Sequence, residues 1–260
     1  VDVIVLDHHQ SEIKLPNACA LVNPNRYDDT SGLNYLCAAG VCFVFLVALN
    51  KKLRDENWFK KNNIDEPDML DFLDLVSLGT VCDVVPLVGL NRAIVKQGLK
   101  IIKKRSNLGL KTLYDLCKIE NQPTTFDLGF KLGPRINAGG RVGKSSHGAE
   151  LLSSKDPQRA YQIALDLEKQ VYNSLLVLHK TADEANDPQF ADFLEGEYLE
   201  EQVEAISEIE KYISILNRIG EDGHGIWEFN NNNSFLIKNN KKTKLKERPC
   251  LLYTSPSPRD

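Results

Sequence analysis

The sequence has few of the features that stabilise small secreted domains or place proteins in membranes. Its six cysteines (19, 37, 42, 82, 117 and 250) form no C-x-x-C pair, which indicates reduced thiols and a cytoplasmic protein without a disulfide framework or zinc site. No secretory signal is recognised. The longest apolar stretch, Leu33–Leu49, contains Asn34 and Gly40 and is shorter than a bilayer requires, so a buried core helix is predicted and no membrane contact.

Positive charge and methionine are also scarce. The net charge of −4 argues against a uniformly basic nucleic-acid coat, although it permits a local basic patch. The single methionine is Met69 and the chain opens with Val1, so a fragment of a longer protein is expected. Its 260 residues suffice for one large domain or two small ones.

A short apolar run is followed at once by three side chains that bind metals. Val3 to Leu6 predicts a strand covered on both faces, as in parallel sheets. Asp7, His8 and His9 come directly after it, where open α/β sheets bind ligands. This set suits Mn²⁺ or Mg²⁺, but the residues alone equally allow two histidines that cap a strand at the surface.

Two later segments bear on the same question. Ser31 or Asn34 is the expected cap of the helix that ends near Leu53, and a further helix is predicted from Met69 to Leu78. Asp83 follows between apolar neighbours, either as a buried acid that needs a partner or metal or as a capping residue.

A glycine-rich basic segment extends from residue 132 to residue 147. Its glycines and the charges of Arg135, Arg141 and Lys144 suit a phosphate-binding loop, while a flexible basic loop remains the alternative.

These segments together carry a resemblance to a known family. VIVLDHH, GTVCDVVPL and DLGFKLGPRINAGGR, in this order, resemble the RecJ single-strand-specific 5′ exonucleases of the DHH phosphoesterase superfamily over about residues 1–166. The resemblance implies a partial parallel-sheet α/β domain that hydrolyses single-stranded DNA with Mn²⁺ or Mg²⁺.

The family's site residues fall on matching positions. Asp7, His8, His9 and Asp83 would be catalytic, with His8 and Asp83 as metal ligands, and Arg135, Asn137 and Arg141 would contact nucleic acid. The family's earlier acidic motifs have no match here, so the truncated chain is expected to be inactive. A DHH phosphodiesterase of small nucleotides is an alternative function.

Two long amphipathic helices are predicted beyond residue 164. Apolar residues recur at spacings of three and four from Ala164 to Ala182 and from Leu199 to Leu216, and Asn186-Asp187-Pro188 separates the two stripes. The abundant glutamates are typical of a solvated helix face.

This part resembles a different family. LEKQVYNSLLVLHK, FLEGEYLEEQVEAI and GHGIWEF are similar to the third and fourth helices of plant or algal ferritins, over about residues 164–229. Glu168 and Gln202 would then be ferroxidase-centre residues, and His179, Asp192 and Glu195 would line an iron entry channel. Two helices form only half of a bundle, so further helices or subunits would be needed, and no iron storage is expected. A ferritin-type iron-binding fragment is the second alternative function.

The two resemblances overlap near Ile163–Gln170, as expected of an assembly chimera rather than a natural fusion. Residues 230–260, rich in asparagine and lysine, are predicted to be a disordered, artefactual tail, although the Lys241–Arg248 cluster also suits nucleic acid.

Overall fold

The computed structural model describes residues 1–119, 121–142, 146–220, 225–227 and 229, with the backbone alone for 139–142. Within these residues a small parallel sheet precedes a mainly helical chain, which confirms the expected α/β segment followed by long helices. The predicted disordered tail, 230–260, lies outside the described residues. The chain divides into two compact units, Val1–Lys104 with Gln122–Gly129, and Arg105–Asn121 with Phe130–Asp260.

The sheet of the first unit has two described strands. β1 (Ile4–Leu6) pairs in parallel with β2 (Ala20–Val22), with Val5 opposite Leu21. Val3 and Ile4 are about half exposed, so the prediction of a strand covered on both faces was wrong. In the described part of the chain, β1 is hydrogen-bonded to one strand, β2.

The helices of the first unit follow the sheet. They are α1 (Ala38–Asp55), α2 (Trp58–Asn62), a 3₁₀ helix (Met69–Phe72), α3 (Leu73–Cys82) and α4 (Gly89–Ile102). The predicted helix at Met69–Leu78 therefore begins as a 3₁₀ turn and ends later.

The N-terminal cap of α1 differs from the expectation. Neither Ser31 nor Asn34 caps it. The cap is Cys37, whose Sγ accepts a hydrogen bond from the Gly40 N–H at 3.3 Å, because residues 26 to 36 form turns instead. Leu36, Cys37 and Val41 are buried, as predicted for a core helix, but the later part of α1 is half exposed. Among the helices that the structure describes, none combines the length and the hydrophobicity of a membrane span.

Close contact between α3 and α4 builds the core of the first unit. Leu73, Val76, Ile94 and Ile101 form a buried cluster between them. Gly98 allows this approach, because a Cβ there would lie 1.8 Å from Ser77 Oγ. The packing fixes the C-terminal end of α3, where Asp83 follows.

The second unit is helical throughout its described part. Its helices are α5 (Leu108–Leu116), α6 (Gly133–Val142), α7 (His147–Ser153), α8 (Pro157–Glu184), α9 (Pro188–Leu194) and α10 (Glu200–Ile219), with a π-helical turn at Glu195–Leu199. Another π-helical turn, Asp127–Leu132, has residues in both units.

The two long helices predicted for the second half are present. Asp156 caps α8 through the Gln158 N–H, and Pro157 occupies its first turn, so the helix begins before the expected Ala164. Tyr161 and Leu165 pack against Ile209, Tyr212 and Leu216 of α10. Leu178 and Val203, which belong to the two predicted apolar stripes, are 41% and 54% exposed.

The glycine-rich segment, expected to be a loop, is helical over most of its length. Residues 133–142 form the helix α6, so neither the phosphate-binding loop nor the flexible loop describes the backbone of this range. Residues 143–145, which include Lys144, lie outside the described residues.

Candidate functional site

The Asp7-His8-His9 segment lies directly beyond the C-terminal end of β1. Asp7 Oδ1 accepts hydrogen bonds from the N–H groups of His8 (2.7 Å) and His9 (3.2 Å), and it lies 2.7 Å from His9 Nδ1. Burial raises the pKa of Asp7, but the hydrogen bonds from His9 and His8 outweigh burial and the pKa is lowered overall. Asp7 is thus a carboxylate that orders the two histidines after it.

His8 faces Asp83, which follows it by 75 residues in the chain. His8 Nδ1 lies 3.5 Å from Asp83 Oδ2, and the His8 side chain is 18% exposed. Asp83 is the C-terminal cap of α3 and its side chain is 41% exposed, so it is a capping residue and not the buried acid considered above. The ends of β1 and α3 together place an imidazole beside a carboxylate.

Two asparagines support the backbone of this site, and sequence reasoning missed both. Asn23 Nδ2 donates to the His9 carbonyl at 2.8 Å, and Asn25 Nδ2 donates to the His8 carbonyl at 2.6 Å. Both follow β2, the parallel neighbour of β1. The rule that predicted a site after β1 applies equally to the residues after β2, and this was the signal available in the sequence.

The donors present fit part of a Mn²⁺ or Mg²⁺ site. A histidine nitrogen and a carboxylate oxygen 3.5 Å apart are close enough to bind the same cation. However, no group of three or more His, Cys, Asp or Glu side chains suited to a metal ion occurs in the described part of the chain. His8 and Asp83 therefore supply two donors of a site that requires more.

The predicted nucleic-acid residues have different surroundings. Asn137 is exposed on α6, while the side chain of Arg141 lies outside the described atoms. Arg135 is held within the second unit, where its Nε donates to Glu168 Oε1 at 3.2 Å and its Nη1 to the Lys131 carbonyl at 3.0 Å.

The residues matched to ferritin form two separate groups. Glu168 is buried on α8 against Arg135, and the Gln202 side-chain oxygen on α10 is buried with no hydrogen-bond partner among the described residues. His179 Nε2 lies 2.7 Å from Glu195 Oε1, whereas Asp192 is exposed on α9. The structure thus brings His179 and Glu195 together.

Comparisons with known proteins support both resemblances. The chain is 41% identical over 170 residues to the single-stranded-DNA-specific exonuclease RecJ of Dickeya dadantii, a match that covers 65% of this chain and 30% of that protein. A crystal structure of exonuclease RecJ bound to manganese superposes with a TM-score of 0.54 at 30% identity, over 70% of this chain and 44% of that one.

The second half matches ferritins. A ferritin-like domain model matches residues 130–219. Chloroplastic ferritin-2 of Zea mays is 45% identical over 96 residues, which is 35% of this chain and 38% of that protein. The chain therefore spans about a third of the length of the relatives it matches, and it carries a segment similar to RecJ exonucleases together with a segment similar to ferritins.

Proposed function

We propose that the first part of the chain, about residues 1–166, is a portion of a RecJ-type exonuclease that hydrolyses phosphodiester bonds of single-stranded DNA from the 5′ end. The observation that carries this proposal is the approach of His8 to Asp83 at 3.5 Å, directly beyond the C-terminal ends of β1 and α3. The similarity to RecJ, including a manganese-bound RecJ structure, supports it.

The proposed roles follow from exposure and contacts. His8 and Asp83 would hold a Mn²⁺ or Mg²⁺ ion, which when bound would activate water and stabilise negative charge at phosphorus. His9 is 78% exposed, so it is free to contact a phosphate, and Asp7 orients it through the 2.7 Å contact with Nδ1. Asn23 and Asn25 fix the backbone on which both imidazoles are carried.

DNA contacts are assigned to the basic segment that includes α6. Asn137 is exposed there, and Arg141 follows it by four residues, which is about one helical turn. We propose that the side chains of Asn137 and Arg141 contact the sugar-phosphate backbone of the DNA. Arg135 belongs to the same motif, but its guanidinium is already bound to Glu168.

This 260-residue chain by itself is proposed to be inactive. A two-cation phosphodiesterase site needs several carboxylates to hold its metals, and the described residues contain no group of three candidate ligands.

A hybrid enzyme tests the proposal. The matching 170 residues of the Dickeya dadantii relative would be replaced by those of this chain. We expect Mn²⁺-dependent release of mononucleotides from 5′-phosphorylated single-stranded DNA, reduced about 100-fold or more by His8→Ala or Asp83→Asn. Lys14→Ala, at an exposed position outside the site, is the matched control.

Two results would contradict the proposal. One is a folded hybrid whose activity does not change in the His8→Ala and Asp83→Asn variants. The other is a hybrid that cleaves dinucleotides and leaves longer single strands intact, which would instead favour a phosphodiesterase of small nucleotides.

A further inference from the structure

One guanidinium joins three helices of the second unit. The Arg135 side chain extends from α6. Its Nε lies 3.2 Å from Glu168 Oε1 on α8, and its Nη2 lies 3.6 Å from Glu201 Oε1 on α10. The Glu168 side chain is 8% exposed and that of Arg135 is 25% exposed, whereas Glu201 is 64% exposed. The Arg135–Glu168 pair is thus largely removed from solvent.

Within the pair, the charge of each side chain is compensated by the opposite charge of the other. A buried carboxylate without a positive partner is strongly destabilising, and Arg135 is the cation that the structure provides to Glu168. Burial lowers the pKa of Arg135, but Cys117, Glu168 and Glu201 raise the pKa by a larger amount, so the guanidinium stays charged.

A metal ion is poorly compatible with this arrangement. A cation bound to Glu168 would lie about 2 Å from a carboxylate oxygen. The guanidinium already approaches Glu168 and Glu201 from that region, so a metal bound to Glu168 would meet a fixed positive charge that is partly shielded from solvent. The resemblance to ferritins assigned Glu168 to iron binding, and the resemblance to RecJ assigned Arg135 to nucleic-acid binding. In the structure the two side chains form an ion pair with each other.

We propose that the Arg135 guanidinium takes the place of a metal cation between Glu168 and Glu201, so that the ferritin-like helices are held to α6 by an internal ion pair and bind no iron at Glu168. A corollary is that Arg135 contributes to the stability of the second unit rather than to DNA binding. Removal of the guanidinium should expose a pair of carboxylates that accepts a divalent cation.

The test compares the full chain with three variants and one control variant that retains the positive charge. Anaerobic titration with Fe²⁺, followed by calorimetry and by the melting temperature, would be applied to the wild type, Glu168→Gln, Arg135→Met and the double variant. Any binding at His8 and Asp83 is common to all four proteins, so only the differences report on Glu168. Arg135→Lys, which retains a positive charge, serves as the matched control.

We expect Glu168→Gln to leave the Fe²⁺ binding of the wild type unchanged. Arg135→Met should bind Fe²⁺ at least tenfold more tightly than the wild type, and this gain should vanish in the double variant. Without metal, Arg135→Met should melt below the wild type, and addition of Glu168→Gln should restore part of the loss, because the unpaired buried charge is removed. Arg135→Lys should bind Fe²⁺ as the wild type does.

Three results would overturn the proposal. They are Fe²⁺ binding in the wild type that Glu168→Gln abolishes, a folded Arg135→Met without increased Fe²⁺ affinity, and a double variant that melts no higher than Arg135→Met. If Arg135→Met does not fold, the comparison of the wild type with Glu168→Gln decides: equal Fe²⁺ binding supports the proposal and a loss of binding refutes it.

Discussion

Val84, the residue after Asp83, has a backbone conformation that its side chain disfavours. Its φ is +55° and its side chain is 86% exposed. A β-branched residue in the left-handed region is strained by about 1–2 kcal/mol. Because Val84 is mostly exposed, it gains little burial energy that could offset this strain. The turn that presents Asp83 to His8 is therefore held in place by the packing of α3 and α4.

Val84→Gly should stabilise the protein. Glycine relieves the left-handed strain, and after the entropy that glycine adds to the unfolded chain we expect a net gain of about 0.5–1 kcal/mol. Leu87→Gly, at an exposed residue of the same segment whose φ is not positive, should instead lose about 0.5–1 kcal/mol. Denaturant midpoints measure both changes. Destabilisation by Val84→Gly equal to that of Leu87→Gly would show that the turn is unstrained.

Asn23 connects the two strand ends through its side-chain amide. It is 4% exposed, donates to the His9 carbonyl at 2.8 Å, and accepts from the Asn25 N–H at 2.8 Å. Because the amide is buried and both its nitrogen and its oxygen form hydrogen bonds, water cannot easily replace it.

Asn23→Ala should destabilise the first unit by about 1–3 kcal/mol, since it leaves a carbonyl and an N–H without partners. It should also shift the imidazole resonances of His8 and His9 in NMR spectra, because the backbone that carries them is released. Asn17→Ala, at an exposed position before β2, should change stability by less than about 0.5 kcal/mol. If imidazole spectra stay unchanged in a folded Asn23→Ala variant, the amide does not position the histidines.

At the level of elements, the contact between α3 and α4 depends on the absence of a side chain at position 98. A Cβ on Gly98 would lie 1.8 Å from Ser77 Oγ and 2.3 Å from the Leu73 carbonyl. The Leu73 carbonyl is backbone and cannot rotate away, so α3 and α4 would have to separate.

Gly98→Ala is therefore expected to destabilise the protein by about 2 kcal/mol, despite the roughly 1 kcal/mol by which alanine favours a helix over glycine. Lys96→Ala, on the exposed side of the same helix, should stay within about 0.5 kcal/mol of the wild type. Thermal or urea unfolding distinguishes these outcomes. A Gly98→Ala protein as stable as the wild type would mean that α3 and α4 are not in close contact.

The spacing of apolar residues predicted the helices and the strand better than it predicted their burial. The apolar stripes after residue 164 led to two long helices separated near Pro188, as the structure has them in α8 and α10. The strand at Ile4–Leu6 was also predicted, but its burial was not, because burial depends on which strands lie beside it. The glycines of α6 suggested a loop, and helical packing overrode that local preference.

The candidate site was only partly accessible from local sequence. Asp7, His8 and His9 follow a strand and were noticed for that reason, whereas Asp83 was linked to them through the family resemblance. The contact of Arg135 with Glu168 joins residues assigned to two different resemblances. No pattern within either segment predicts such a pair, because it arises from the tertiary packing of α6 on α8.

At the scale of the whole molecule, the chain combines two units that each have a core of their own. Ile94 and Ile101 belong to the core of the first unit, and Ile209 and Tyr212 belong to that of the second. The candidate nuclease residues Asp7, His8, His9 and Asp83 all lie in the first unit. DNA cleavage by this 260-residue chain would therefore depend on the number of metal ligands that the first unit contributes.

The purified 260-residue chain is expected to release no mononucleotides from 5′-phosphorylated single-stranded DNA in Mn²⁺. His8 and Asp83 offer one nitrogen and one carboxylate, and no group of three candidate ligands occurs among the described residues, so the metal should bind weakly and without its partner ion. The net charge of −4 also disfavours non-specific DNA binding at physiological salt. The hybrid enzyme serves as the positive control. Mn²⁺-dependent hydrolysis by the chain alone that is lost in His8→Ala would show that two donors and water suffice.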